Sequence, residues 1–367
     1  MSRKRIAVIF GGRSGEHEVS VESARNIINA FDKDRFAAHA VGIDKKGQWH
    51  VAEQIDKLLA PSQTSGEYQV SPDSSVVIPT AEEHRLKLLS AENGDTVAEF
   101  DLAFPIAHGS FGEDGSLQGC LRMLDAPFVG AGVTGSAVGM DKDIMKRLFR
   151  HAGLAVPRFV VIRRRDRSDT SFDVLQCNLG TPFFVKPCNL GSSVGISKVA
   201  TPEAFDRAME EAFAYDTKVI VEEAIQGREV ECAVLGNDQP EASAVGEIRV
   251  KNDFYSYEAK YLDDNAAEIL IPAPLDDVLT RKVQEMSIAA FEATECAGLA
   301  RVDCFVTKEG EVLLNEINTL PGFTRISMYP KLWEHSGLPY SELLEKLVEL
   351  GEELHSAQRS LRRAHAE

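Results

Sequence analysis

The sequence predicts an α/β protein made of more than one folding unit, on three observations. The N-terminal stretch reads as a buried strand, a glycine loop, an amphipathic helix and a second strand, which is how a parallel sheet opens. Near residue 140 a glycine-rich stretch gives way to a helix and a fresh set of strands, so a second compositional unit starts there. Further on, two β-rich runs flank Lys308-Glu309-Gly310 as a hairpin. A chain of 367 residues has room for two to three domains of about 150 residues.

Residues 5–10 are a continuous β-rich apolar run, the pattern of a strand covered on both faces. Gly11 to Gly15 follow as a loop, and Val19, Ala24, Ile27, Ile28 and Phe31 then recur at helical spacing. Residues 36–43 form the next strand. Residues 61–75, rich in Ser, Pro and Gly, read as a loop. Residues 86–89 and 96–100 flank Asn93-Gly94, a hairpin signal. The buried strand 102–106 runs into His108-Gly109, followed by Gly112-Glu113-Asp114-Gly115. Residues 141–152 are helical. Residues 159–162 and 183–186 are strands, and the charge run 163–167 between them is a solvated loop. Residues 202–214 form a helix with Pro202 near its first turn. A strand at 219–223 follows, then a boundary at Gly227 and strands at 229–235 and 244–250. Residues 253–265 read as a long polar and aromatic loop and 276–297 as a long amphipathic helix. The hairpin 301–306 with 311–317 and a last helix at 341–355 complete the chain.

Charge narrows the function. Lys plus Arg total 40 against 57 Asp plus Glu, a net −17, which repels phosphate backbones and anionic lipid. Nucleic acid and membrane are therefore poor partners. No apolar run approaches the ~20 residues that span a bilayer. The basic opening Met1-Ser2-Arg3-Lys4-Arg5 is followed by only five apolar residues, against the roughly 7–15 of a signal peptide. The chain is read as cytoplasmic. Its six cysteines include no C-x-x-C pair, which suits free thiols in a reducing compartment.

Three constellations carry chemistry. In Lys186-Pro187-Cys188-Asn189-Leu190-Gly191-Ser192-Ser193-Val194-Gly195-Ile196 a lysine at a strand end precedes a Gly/Ser loop. Small residues let backbone N–H groups approach phosphate oxygens, and the lysine adds a point charge. An ordinary strand–turn–strand has the same outline. In the second, Arg301 and Asp303 share one face of a strand, and Glu316 and Asn318 share one face of another. If the strands pair, two carboxylates and an amide oxygen converge as hard ligands suited to Mg²⁺; the alternative is a solvated hairpin face. The third is Gly11-Gly12-Arg13-Ser14-Gly15-Glu16-His17-Glu18-Val19-Ser20, a loop at the start of a helix, where α/β folds bind ligands. There Glu16 either binds an amine or simply favours the helix dipole.

These residues, with His108-Gly109, Gly112 to Gly115, Tyr257-Glu258-Ala259-Lys260-Tyr261 and residues 315–322, resemble the D-alanine–D-alanine ligase family of the ATP-grasp superfamily. The resemblance covers nearly the whole chain, in order. It implies a three-domain ATP-grasp fold: an N-terminal substrate-binding α/β unit at 1–138, a central unit at 139–225, and a C-terminal unit at 226–367 with the metal and acceptor sites. ATP would lie between two antiparallel sheets, with Lys142 and Lys186 on its phosphates and the loop of Ser192 and Ser193 closing over them. Glu222 and the backbone near Ile225 would hold adenine, Glu229 the ribose, and Lys260 the γ-phosphate. Asp303, Glu316 and Asn318 would bind two Mg²⁺ ions, which Mn²⁺ can replace.

The implied activity joins two D-alanine molecules through an acyl phosphate, in peptidoglycan precursor synthesis. Glu16 would hold the first ammonium with His108 nearby, and Ser327 and the Met328 backbone the second carboxylate. Arg301 and the Gly322 N–H would form the oxyanion hole, and Glu16, Ser192 and Tyr261 a hydrogen-bonded triad that closes the loop. Relatives that make an ester carry Phe or His where Tyr261 stands, so Tyr261 favours an amine acceptor. Cys188 reads as a small neutral filler or as an alkylation-sensitive thiol, and Arg325 has no assigned role. A homodimer through the N-terminal unit is usual for the family. Another ATP-grasp carboxylate–amine ligase, including a variant that takes D-lactate or D-serine, is the nearest alternative. A regulator without catalysis would have lost Lys186, Arg301, Asp303 or Glu316, and a purely structural protein would have no reason to keep them together.

Overall fold

The computed structural model describes residues 3–62, 68–192, 194–250 and 267–362. Three larger sheets organise it. In the first, Lys4–Gly11 lies between Phe36–Ile43 and Leu102–Pro105, parallel to both. Residues 6–11 are buried throughout, as a strand with helices or chain on both faces must be. Beyond Phe36–Ile43 the sheet continues antiparallel through Trp49–Ala52, Val77–Glu82, Arg85–Ser90 and Thr96–Phe100. The hairpin at Asn93-Gly94 forms as read. The segment taken as loop at 61–75 is partly strand: Leu59–Pro61 pairs with Tyr68–Val70. Short two-stranded pieces of this kind leave almost no periodic signal.

The second sheet is antiparallel, in the order Phe159–Arg163, Lys218–Glu223, Phe183–Pro187, Ser197–Val199. The helices Phe172–Leu179 and Pro202–Tyr215 cover one side with a core of Phe172, Phe183, Phe205, Met209 and Phe213. Thr201 caps the second of these through the Ala204 N–H, and Pro202 takes the first turn, where its missing N–H costs nothing. Residues 163–166 of the charge run are exposed and Arg167 is half-buried; Arg163 ends a strand and the others coil into a short 3₁₀ segment, Arg164–Asp169.

The third sheet is also antiparallel, in the order Ala267–Leu270, Glu241–Val250, Gly227–Gly236, Gly298–Thr307, Val312–Asn318. Gly227, read as a boundary, opens the ten-residue strand of this sheet and pairs with Thr307. Strand period decides what each face does. Val230, Cys232, Val234, Val302, Cys304, Val306 and Leu314 point one way, under the helices Lys142–His151 and Asp277–Ala293. Burying a valine side chain in this way stabilises by roughly 1.5–3 kcal/mol. Glu229, Glu231, Arg301, Asp303, Glu316 and Asn318 take the other face and stay polar.

The first helix runs over His17–Ala30 and the last over Tyr340–Ser360. Among the described residues four helices escaped the sequence reading, Phe172–Leu179 and Met328–His335 being two of them. Ser116–Met123 is short, and Val133–Met140 lies within the glycine-rich stretch. The glycines have a packing reason: a Cβ at Gly135 would lie 2.6 Å from the Glu295 carbonyl oxygen, so only glycine lets this helix come so close. The expected loop 253–265 lies outside the described residues. Among the described residues no helix is long and apolar enough to cross a membrane.

Candidate active site

Two connected cavities lie where the three sheets meet. The larger, about 740 Å³, runs between the second and third sheets and is lined by Lys142, Phe184, Lys186, Glu222, Ile225 and Glu316, among others. The smaller, about 220 Å³, is lined by Glu16, His108, Arg301, Asp303, Gly322 and Ser327. Gly191, Ser192, Glu229 and Glu316 border both.

Register builds the larger cavity. Phe184 pairs with Glu222 and Lys186 with Ile220, so Lys186 and Glu222 are diagonal neighbours on one face. Lys186 Nζ lies 2.7 Å from Glu222 Oε2, and Lys146 Nζ lies 2.8 Å from Oε1. Lys146 also donates to the Asn315 carbonyl at 2.7 Å. Burial would push the Glu222 carboxyl up, but Lys146 and Lys186 outweigh it and hold it at about 2. Burial likewise works against the charge of Lys186, yet Glu222 and Glu316 keep its pKa above the usual lysine range. For the more enclosed Lys146 burial prevails and the pKa falls. Lys146 was missed in the sequence, although it lies four residues after Lys142 and so on the same helix face. Asp141 starts that helix by accepting from the N–H groups of Asp143 and Ile144. Lys142 then donates to the Leu190 carbonyl at 2.7 Å and lies 3.4 Å from Glu316 Oε2. Glu229 is exposed on the rim and Ile225 half-buried beside it.

The hairpin sets the second group. Arg301 pairs with Asn318 and Asp303 with Glu316, with a bulge after Asp303. On its other side Asp303 pairs with Glu231. Three carboxylates therefore cross three adjacent strands. Arg301 answers them: Nε and Nη2 each donate to Asp303 at 2.7 Å, and Nε lies 3.1 Å from Glu231 Oε2. Despite burial, Asp303 and Glu231 hold the guanidinium firmly charged. Asn318 Nδ2 donates to Asp303 Oδ2 at 3.1 Å, leaving its amide oxygen on the same face. Glu231 was also missed, because a strand-borne glutamate among apolar neighbours reads as an ordinary alternation.

The N-terminal loop adds the third group. Glu16 precedes the first helix without capping it through its side chain. Its carboxylate instead accepts from the Ser192 hydroxyl on the far loop. Glu16 thereby lines the smaller cavity. Gly109, at φ +75°, makes this possible, since a Cβ there would lie 2.5 Å from Glu16 Oε2. His108 is buried, with Glu113 and Ser23 on its two ring nitrogens. Ser327 Oγ accepts from the Thr324 N–H at 2.9 Å, beside Gly322 and the buried Met328. Ser193, Lys260 and Tyr261 lie outside the described residues. Cys188 is wholly buried and burial pushes its thiol up to about 12, which fits a filler rather than an alkylation-sensitive group. All six cysteines are free.

Asp303, Glu316 and Asn318 are the candidate cation ligands. Among the described residues no group of three or more His, Cys, Asp and Glu side chains is arranged to hold a metal ion. The candidate set therefore rests on two carboxylates and one amide. Their hard oxygens fit Mg²⁺ or Mn²⁺, which take few protein ligands and keep water or phosphate oxygens. Each carboxylate oxygen has two lone pairs, so the Arg301 contacts leave Asp303 able to bind a cation.

Two antiparallel sheets facing each other across a lysine-lined cleft, with a carboxylate hairpin at its floor, define the ATP-grasp class of ligases. Within that class the chain belongs to the D-alanine–D-alanine ligase family. The family's N-terminal part, described as D-ala D-ala ligase N-terminus, matches residues 5–131, and its C-terminal part, D-ala D-ala ligase C-terminus, matches residues 148–349. The D-alanine–D-alanine ligase of Shouchella clausii is 50% identical over 363 residues, 99% of this chain and 98% of that protein. D-alanine–D-alanine ligase A of Escherichia coli is 48% identical over 362 residues, 99% of each chain. Among solved structures, the D-alanine-D-alanine ligase from Coxiella burnetii superposes with a TM-score of 0.85 at 38% identity, covering 98% of this chain and 97% of that one. A D-Ala:D-Ser ligase from Enterococcus faecalis gives 0.82 at 36% identity, covering 95% and 100%.

Proposed function

We propose that the two cavities form one reaction site, in which ATP drives the joining of two D-alanine molecules to D-alanyl-D-alanine, with ADP and phosphate as the other products. The family is ATP-dependent and acts on D-alanine, and its role is in building peptidoglycan precursors. The observation that carries the reading is the shared wall of Gly191, Ser192, Glu229 and Glu316, which opens a nucleotide-sized cleft directly into a pocket for small amino acids.

Two half-steps follow from the residues. The carboxylate of the first D-alanine attacks the γ-phosphorus of ATP, the bond to the β-phosphate oxygen breaks, and ADP and an acyl phosphate form. Such a step is catalysed mainly by positioning and charge neutralisation. Lys142 and Lys186 supply fixed positive charge to the phosphates, and Lys260 adds to it by resemblance. Phe184 and Ile225 offer apolar walls to the adenine, Glu222 anchors the lysines beside it, and Glu229 meets the ribose. Asp303, Glu316 and Asn318 would hold two Mg²⁺ ions, or Mn²⁺ in their place, and the metal when bound neutralises charge on the transferred phosphoryl group.

The amine of the second D-alanine, having lost a proton, then attacks the acyl carbon, and the carbon–oxygen bond to phosphate breaks. Arg301 and the Gly322 N–H stabilise the negative oxygen that develops. Glu16 holds the first ammonium, and Ser327 with the Met328 backbone holds the second carboxylate. The Glu16–Ser192 contact, extended to Tyr261 by resemblance, closes the loop of Ser192 and Ser193 and keeps water from the acyl phosphate. We take 1–138, 139–225 and 226–367 as the working units, and a cytoplasmic homodimer off the membrane as the working form.

The test is ADP release from the purified protein with ATP, Mg²⁺ and D-alanine, with L-alanine as control and mass detection of product. D-alanine-dependent release with D-alanyl-D-alanine formed is the expected outcome. The solved D-Ala:D-Ser ligase at 36% identity makes D-serine the proper competing acceptor. Preference for it would keep the chemistry and change the product.

A further inference from the structure

The His108 ring belongs to a buried chain that the two half-steps above leave unused. Its Nδ1 lies 3.2 Å from Glu113 Oε1, which also accepts from the Gly109 N–H at 3.0 Å. Its Nε2 lies 3.1 Å from the Ser23 hydroxyl. Ser23 Oγ in turn accepts the Phe323 N–H at 3.3 Å, across 300 residues of sequence. Ser23 and Phe323 are wholly buried and His108 almost so.

The chain has a direction. An ionised carboxylate can only accept, so in the neutral ring Nδ1 carries the proton and donates to Glu113. Nε2 is then an acceptor, and the Ser23 hydroxyl donates to it while accepting from Phe323. Both ring nitrogens are engaged within the protein, so the ring serves the site through Ser23. The Phe323 N–H belongs to the peptide group that follows Gly322. The same turn is held by the Tyr340 hydroxyl, which donates to the Phe323 carbonyl at 3.1 Å, and by Ser327 at Thr324. Of these contacts Ser23 alone comes from the N-terminal helix.

We propose that Ser23 is a positioning residue for the second half-step: with His108 and Glu113 behind it, it fixes the peptide plane after Gly322 and so aims the Gly322 N–H at the developing oxyanion. The proposal rests on the reading in which Gly322 serves the acyl phosphate.

The test uses the full chain with ATP, Mg²⁺ and D-alanine, quenched during turnover into hydroxylamine. The hydroxylamine nitrogen attacks the acyl carbon of any accumulated acyl phosphate, phosphate leaves, and a hydroxamate is counted per site. Wild-type protein that makes no dipeptide overturns the underlying ligase reading. With wild-type activity in hand, Ser23→Ala is expected to slow dipeptide formation about tenfold, with the KM for ATP unchanged and the acyl phosphate per site raised several-fold. Glu113→Gln, whose amide oxygen still accepts, is expected to raise it less. Should Ser23→Ala fail to fold, Glu113→Gln decides alone. Unchanged acyl phosphate per site, whether turnover falls or not, would mean that the network is structural only and would overturn the proposal.

Discussion

At the scale of single residues, the buried Lys146–Glu222–Lys186 group shows how structure and chemistry share the same charges. Removing one partner of a buried ion pair leaves an uncompensated charge, at a cost of about 3–5 kcal/mol. Glu222→Leu strands two ammonium groups and should lower the melting temperature accordingly; an unchanged melting curve would show that the lysines find other partners. The pH sign follows from the depressed carboxyl. Its stabilisation is present above the ordinary value of 4.5 and lost as pH falls toward about 2, so this group does not limit stability near neutrality. Glu316 behaves differently because it is half-exposed at the meeting of both cavities. Glu316→Gln should leave melting within a few degrees while lowering kcat at least about 100-fold, the scale of a lost electrostatic partner in the transition state. Near-normal turnover would remove the metal assignment. For acceptor choice, Tyr261→Phe should raise the ester-to-peptide ratio when D-lactate and D-alanine compete, and a flat ratio would relieve Tyr261 of that role.

Between residue and molecule, the element that best shows local physics is the loop from Gly11 into the first helix. His17 is wholly buried; its Nδ1 lies 2.8 Å from the Gly12 carbonyl, and its Nε2 accepts the Val70 N–H at 3.1 Å. It thereby pins the short hairpin of Leu59–Pro61 and Tyr68–Val70 beside the loop of Glu16. Burial holds its pKa below the ordinary 6.5. The unfolded chain then binds the proton first, so the stabilisation is complete above 6.5 and is lost as pH falls through the folded value. Melting temperature should drop as pH falls below 6.5, and His17→Gln should flatten that part of the profile. An equal slope in the variant would place the titration elsewhere. The same element marks the limit of sequence reading. The facing residues of the 301–318 hairpin were legible because Arg301 and Asp303, and Glu316 and Asn318, each stand two apart on a strand; the bulge that breaks the period between Leu314 and Glu316 was not. The hairpin that His17 pins was not, since three-residue strands have no period to read. The helix Val133–Met140 hid for another reason: its glycines look like breakers until Glu295 is seen against them.

Across the whole molecule, the arrangement of cores divides the chain in a way that no local signal reports. The N-terminal sheet and the C-terminal helices share one core: Ile6, Val8 and Phe104 pack in the same cluster as Leu320, Tyr329, Leu343 and Leu347. Lys4 meets Glu352 at 2.7 Å across that junction, and His355 reaches the Asp125 carbonyl at 3.0 Å. The central sheet has a core of its own, in which Ile162, Phe183, Phe205 and Val221 pack only with residues of the same unit. Its ties near the cleft to the helix Lys142–His151, which packs on the core of the third sheet, and to the N-terminal loop are polar: Lys146 to Glu222, Lys218 to Asp141 and Asp143, and Ser192 to Glu16. A unit with a separate apolar core and polar ties can open without unfolding its neighbours. In hydrogen exchange without ligand, amides of Phe159–Arg163, Phe183–Pro187 and Lys218–Glu223 should therefore exchange before those of Lys4–Gly11 and Gly298–Thr307. ATP binds across the polar ties, so it should protect the central unit most. At a ligand concentration of about 100 times Kd the added stability is roughly 2.7 kcal/mol, or about 100-fold slower exchange where opening requires release of nucleotide. Uniform exchange without ligand, or equal protection of all three sheets by ATP, would show that the central unit does not move independently, and the closing of the Ser192 loop would then need a smaller hinge.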